Sequence, residues 1–291
     1  MVPLDSLAVR SLRSWLGEPS GPGVLALHHA LAYQRPGLWG DHPRVPRSVV
    51  LVREGDNQLE AFGAGEPEPA VAWLADQGRA VSLVAPAAWR DALGTRVGSI
   101  EQAAIETWTI DPFDLAMTTM FDAPEPEPRP ARGPASASQA GPGLESAAPR
   151  RLVATRSLLA SDAAGFAAVA PPWALRGWGS YSSLVAFGAG FGVPHGDTFA
   201  ALAWISDQSA GFDSIGVYTV PRYRRLGLAR AAASALVTQI ARRRRKIPLW
   251  STLPENEASL GLARSLGFTA QATESLVRWP PRSAPLPQPS E

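Results

Sequence analysis

From Ala123 to Pro149 the chain reads APEPEPRPARGPASASQAGPGLESAAP, and Leu144 is its one large aliphatic residue. Such a stretch cannot bury enough apolar surface to offset the entropy of ordering it. It predicts a disordered linker, so the 291 residues divide into two folding units. The expected layout is an N-terminal α/β domain over 1–122, the linker over 123–149, a second domain over 150–280, and a disordered Pro-rich tail over 281–291.

Composition narrows the chemistry. A hydrophobic content of 45% and a charged content of 18% are those of an ordinary soluble globular protein. A formal net charge of +1 argues against broad capture of nucleic acid or of anionic membrane. Lys246 is the single lysine and sits in the arginine run Arg242 to Arg245, which removes the Gly-Lys-Ser/Thr phosphate loop and a pyridoxal Schiff base. Without cysteine there is no disulfide, zinc-thiolate site or thiol nucleophile. The histidines, His28-His29 included, lack metal-ligand spacing, so no metal is expected. Asp5, Arg10 and Arg13 interrupt the start where a signal peptide needs an apolar core. No apolar run approaches the ~18 residues of a membrane span. A cytoplasmic location is the expectation.

In the first unit, Ser48–Arg53 and Gln58–Phe62 read as strands around the turn Glu54–Asn57. Helical stretches near Ala70–Asp76 and Ala88–Leu93 alternate with strand-like Ala80–Ala85 and Ala104–Ile110. Ala-Phe-Gly-Ala-Gly occurs at Ala61 and again at Ala186. Two related halves would explain it, the first a degenerate copy; chance in a chain rich in Ala and Gly explains it better. After the linker the expected series is a strand at Arg151–Thr155, a helix capped by Ser161, and a Trp- and Ser-rich stretch. A hairpin follows about Pro194–Asp197, then a strand Asp213–Val220 and a helix Arg225–Arg245. The series ends with a strand Ile247–Thr252, a helix Asn256–Leu266 stopped by Gly267, and a strand Ala272–Trp279.

One junction in this series carries chemistry. Val217-Tyr218-Thr219-Val220 stops at Pro221, and Arg224-Arg225-Leu226-Gly227-Leu228-Ala229 opens a helix. The first turn of a helix offers unpaired N–H groups and the positive end of its dipole. Gly227 and the small Ala229 let a pyrophosphate approach that backbone. Downstream, Asn256-Glu257-Ala258-Ser259 leads through Leu262 to Leu266-Gly267-Phe268.

These segments, and the element order around them, resemble the GNAT superfamily of N-acetyltransferases over about 130 residues. The spelling from Ile215 to Leu228 is similar to bacterial members with an extra N-terminal domain. The resemblance implies a mixed, mostly antiparallel sheet flanked by helices, preceded here by the smaller α/β domain. It also implies acetyl-CoA as cosubstrate and a small amine as acceptor. Val217, Tyr218 and Thr219 of the strand would hold the cosubstrate, with Arg224, Arg225, Leu226, Gly227, Leu228, Ala229 and Arg230 of the loop and helix start. Asn256 would bond the pantetheine arm, with Ser259 beside it. Transfer would be direct, with backbone N–H groups near Val217–Thr219 binding the thioester oxygen.

The sequence departs from the family pattern at the acid. The position of the usual tyrosine is Ala263, and a frequent carboxylate position is Ser251. Asp213 keeps the type of residue that some members use as base; its plain alternative is a strand-end Asp in a turn. A non-catalytic acyl-CoA-binding module is therefore the competing function, and an interaction protein docking through its first domain and linker a third. Arg242–Arg245 lies about 24 Å from Gly227 at 1.5 Å per helical residue, and reads as a solvated helix end. Trp173, Trp178 and Tyr181 fall where the family's acceptor-site helices lie. The acceptor's identity and the oligomeric state, a homodimer included, stay open.

Overall fold

The computed structural model describes residues 1–4, 12–17, 22–55, 58–97, 100–110 and 153–279. The expected linker and tail lie outside these residues. The first half comprises β1 (Val2–Pro3), α1 (Pro22–Ala32), β2 (Leu38–Gly40), β3 (Ser48–Glu54), β4 (Gln58–Gly65), α2 (Pro67–Ala75), β5 (Ala80–Ala85), α3 (Ala87–Val97) and β6 (Glu101–Thr109). The second comprises β7 (Arg156–Ser157), α4 (Ala163–Ala167), a 3-10 turn (Pro172–Leu175), α5 (Tyr181–Phe187), β8 (Gly190–His195), β9 (Thr198–Gln208) and β10 (Phe212–Thr219). It continues through α6 (Leu228–Thr238), β11 (Ile247–Thr252), α7 (Glu257–Ser265) and β12 (Thr269–Trp279).

The fold is mixed α/β, its sheet mostly antiparallel and flanked by helices. The twelve strands among the described residues join one sheet in the order β1-β2-β3-β4-β5-β12-β6-β11-β10-β9-β8-β7. The last strand of each half has crossed into the other. β12 pairs with β5, Leu276 opposite Val84, while β6 pairs with β11, Thr107 opposite Ser251. The two exchanged strands pair with each other from Thr269–Thr109 to Arg278–Glu101. Residues 101–109 thus complete the sheet of the second half.

The halves share an order: strand, strand, helix, parallel strand, helix, crossed strand. The repeated pentapeptide does not mark it. Ala61–Gly65 ends β4, whereas Ala186–Gly190 spans the end of α5 and the start of β8.

Different helices cover the two faces of the second half's sheet. Trp250 donates its indole N–H to Ser259 of α7, and α7 lies beside α6, so these helices cover one face. Trp204 packs against Phe166 of α4 and Trp173 of the 3-10 turn, at 6.2 and 5.2 Å between centroids. His29 of α1 meets Trp178 edge-on at 4.5 Å, which brings α1 to the same face as that turn. On α6, Ala232, Ala233, Leu236 and Val237 are buried against the sheet. Truncating Leu236 to Ala there costs about 2–5 kcal/mol.

Candidate functional site

α6 begins at Leu228 rather than at the expected Arg225. Arg225 and Gly227 hold φ of 62° and 75°, which a right-handed helix cannot accommodate. Alternation of ordinary and left-handed residues aims successive N–H groups into one concavity, an anion-binding nest. The first turn of α6 extends it with N–H groups that have no partner inside the helix. A Cβ built on Gly227 meets no atom within 4 Å, so the space before the nest is open. The corresponding junction of the first half, Gly65-Glu66-Pro67, has an acidic side chain and a residue without N–H at the helix start. It has no such nest.

Beyond the loop the sheet parts. β10 and β11 pair only from Phe212–Ile247 to Ser214–Leu249. Past Ser214, β10 keeps its partner β9 as far as Thr219–Ala201, and β11 keeps β6 as far as Thr252–Glu106. Among the described residues, the facing edges of Ile215–Thr219 and Trp250–Thr252 therefore have no strand between them. In the first half the equivalent pair stays closed for longer, from Gln58–Ala80 to Phe62–Val84. The open edge of β10 leads straight into the nest, so Val217, Tyr218 and Thr219 are continuous with Arg224–Arg230.

Around this split, buried polar atoms lack partners. Trp204 Nε1, Thr219 Oγ1, Ser251 Oγ and Thr107 Oγ1 have no hydrogen bond among the described residues. The expectations missed Trp204, Thr107 and Gly216, which lies beneath the Trp204 ring. A glycine inside a strand pattern is a signal of close approach, and Gly216 carried it. Thr107 carried no signal, because only the strand crossing brings it to the second half.

Asn256 Oδ1 accepts the N–H of Ser259 at 3.1 Å, capping α7, and Ser259 Oγ accepts from Trp250 Nε1 at 3.0 Å. Tyr223, next to the nest, meets His195 Nε2 at 2.6 Å and ties the β8–β9 hairpin to the loop. Of the three aromatic residues expected near the acceptor, Trp178 is core, its N–H donated to Ile205 O at 2.7 Å. Tyr181 donates its hydroxyl to Leu159 O at 2.8 Å, and burial pushes its pKa up to about 12. Trp173 alone of the three is 42% exposed.

Asp213, the expected base, stands at the start of β10. It lies six residues before Thr219, ~20 Å from that end of β10 at 3.3 Å per strand residue. It is fully buried, with Arg244 Nε on Oδ2 at 2.5 Å and Lys246 Nζ on Oδ1 at 2.9 Å. Arg244 also reaches Gln208 and the carbonyls of Phe187 and Gly188 at the end of α5. Both of its carboxylate oxygens are thus engaged by cations of this chain. The sequence could not show this, because its cations come from beyond α6. A concavity of ≈ 580 Å³ at the seam of the halves, between Arg35, Trp73 and Arg176, includes no residue of the loop.

Residues 168–274 match the GNAT acetyltransferase family. No curated protein matches the chain. Among solved structures, a GCN5-related N-acetyltransferase-like protein from Streptococcus suis superposes with TM-score 0.63 at 18% identity, covering 94% of this chain and 98% of that one. A GCN5-related N-acetyltransferase from Sphaerobacter thermophilus gives 0.53 at 14% identity, covering 94% and 92%. A tandem GNAT protein from the clavulanic acid biosynthesis pathway gives 0.57 at 10% identity, covering 95% and 96%. At these identities the likeness is one of fold, and it extends over both halves.

Proposed function

We propose, from the match of residues 168–274 to the GNAT acetyltransferase family, that the chain transfers an acetyl group from acetyl-CoA to an amine. The observation that carries this reading is the continuity of the split with the nest: one groove offers pyrophosphate-binding N–H groups at one end and an unpaired strand edge along its length. The fit is electrostatic as well as steric. Diphosphate oxygens accept N–H bonds and favour the positive helix end, and Gly227 presents no side chain to them. The free edge of β10 supplies N–H and C=O groups for the amides of a pantetheine arm, as an added strand would.

Acetyl-CoA supplies the activated acyl group. Val217, Tyr218 and Thr219 hold the arm along β10, while Arg224, Arg225, Leu226, Gly227, Leu228, Ala229 and Arg230 cradle the diphosphate. Asn256 and Ser259 fix the start of α7 at the far lip. A backbone N–H of β10 at the split orients the acyl oxygen and strengthens its hold as negative charge grows there. With Asp213 sequestered and Ala263 at the usual acid position, the proposed catalysis rests on positioning and backbone electrostatics: the amine nitrogen bonds the acyl carbon and loses its proton to solvent, the C–S bond breaks, and CoA leaves as a thiolate that takes its proton from solvent. The test is release of free CoA from acetyl-CoA on addition of a primary amine. Binding of acetyl-CoA without release from any amine would favour a sensing module.

A further inference from the structure

The orphaned polar atoms at the split form a pattern. Thr107 and Ser251 are direct partners across β6 and β11, so their side chains share a face. Ile105, two residues before Thr107, is opposite Glu274, whose carboxylate accepts the N–H of Gly23 at the start of α1. That face is therefore the α1 face, where Trp204 also lies. A Cβ on Gly216 would meet Trp204 Nε1 at 3.0 Å, so the indole N–H lies over the β10 side of the split. Had β10 and β11 stayed paired past Ser214–Leu249, Gly216 would oppose Ser251. Trp204 Nε1, Ser251 Oγ and Thr107 Oγ1 thus line up across adjacent strands where the sheet opens. Thr107 is 2% exposed and Trp204 fully buried, while Ser251 and Tyr218 at the lips are only partly so.

A native fold rarely leaves three such atoms unpaired side by side, since each forfeits the hydrogen bonds it would make to water. We propose that Trp204, Ser251 and Thr107 form the acceptor-binding subsite, and that its ligand is an amine bearing a neutral carbonyl oxygen close to the amino group. The inference rests on the acyl-transfer reading of the same groove. The indole nitrogen can only donate and the Ser251 hydroxyl can turn to donate, so the two are complementary to an oxygen with lone pairs between them, while Thr107, one strand or about 4.8 Å beyond Ser251, reaches a second polar atom of the same ligand. Glu274 on the same face, one strand beyond Thr107, disfavours a carboxylate and leaves an amide-type carbonyl as the matching group. Because Thr107 arrives on β6, the first half contributes directly to acceptor choice.

The test uses the full chain, with glycinamide, glycine and propylamine as probes and rates of CoA release corrected to the free-base amine. Glycinamide is expected to exceed both others by at least about tenfold, since a site built to bond a polar group discriminates against ligands lacking it. Trp204→Phe and Thr107→Val should each erase most of that preference, with acetyl-CoA binding as the folding control. Thr107→Val should also leave the melting temperature equal or higher, because it removes an unpaired hydroxyl at nearly constant shape. Equal rates for the three probes, zero included, would overturn the subsite. So would a lower melting temperature for Thr107→Val, which would mean that the two hydroxyls bond each other. If the parent fails to bind acetyl-CoA, the reading beneath the subsite falls, and the subsite with it.

Discussion

Gly216 lies so close beneath Trp204 that a Cβ there would sit 2.7 Å from Cε2 and 2.8 Å from Cζ2 of the indole. Trp204 is fully buried and wedged by Phe166 and Trp173, so it cannot yield without disturbing both helical segments. Gly216→Ala should therefore destabilise by about 1–3 kcal/mol, the usual effect of overpacking. Turnover should fall further than acetyl-CoA affinity, because the ring moves at the acceptor face. Urea unfolding beside steady-state rates checks this; unchanged values of both would mean that the ring and the glycine are not in contact.

Asp213 anchors the end of the sheet remote from the nest. Asp213→Asn leaves Arg244 and Lys246 facing each other without their shared anion, and removing one partner of a buried ion pair costs about 3–5 kcal/mol. CoA release per acetyl-CoA-binding molecule should match the parent from pH 6 to 9. A normalised rate that falls, with the deficit shrinking at high pH, would return Asp213 to the role of base.

His29 makes stability pH-dependent. Its Nδ1 accepts the N–H of Gln208 at 3.1 Å and its Nε2–H donates to Gly177 O at 3.1 Å, so both nitrogens are satisfied only in the neutral ring. Burial lowers its pKa below 6.5, although Asp207, 4.0 Å away, pulls upward; Arg53 and Arg35 add to the lowering. The unfolded chain then binds the proton more readily. The stabilisation is present above pH ~6.5 and is lost as pH falls through the unfolded value towards the folded one. Denaturation midpoints at pH 7.5 and 5.5 should differ in that sense, and the difference should shrink in His29→Asn. The substitution itself should cost about 1–3 kcal/mol.

Much of the second half was legible in order, because each strand and helix there carries its own periodicity and punctuation. Gly267 at φ 89° and Asn256 at the cap of α7 stand where their residue types place them. The start of α6 was not legible, because a left-handed Arg225 has no signature in its side chain. The first helix after β7 also differs. Asp162 caps Leu159 N–H at 2.8 Å and pairs with Arg156, so the turn begins before the expected Ser161. Strand exchange was hidden altogether. Glu101–Thr109 reads the same whether it pairs within its own half or across, and the choice is made by partners far along the chain. The acceptor row was lost with it, since Thr107 becomes part of a site only through that crossing.

Gly227 offers the most direct test of the whole account. Its φ of 75° and the open space around its Cβ separate two effects of substitution. Gly227→Ala should cost about 1 kcal/mol of stability from the left-handed backbone alone. It should weaken acetyl-CoA only modestly. Gly227→Glu adds a side chain and a negative charge to the space assigned to the diphosphate, with no buried neighbour to clash against. Calorimetric titration of both variants with acetyl-CoA, at matched folded fraction, is the decisive measurement. Loss of binding in Gly227→Glu alone is the predicted result; parental affinity in that variant would contradict the assignment of the loop and the function built on it.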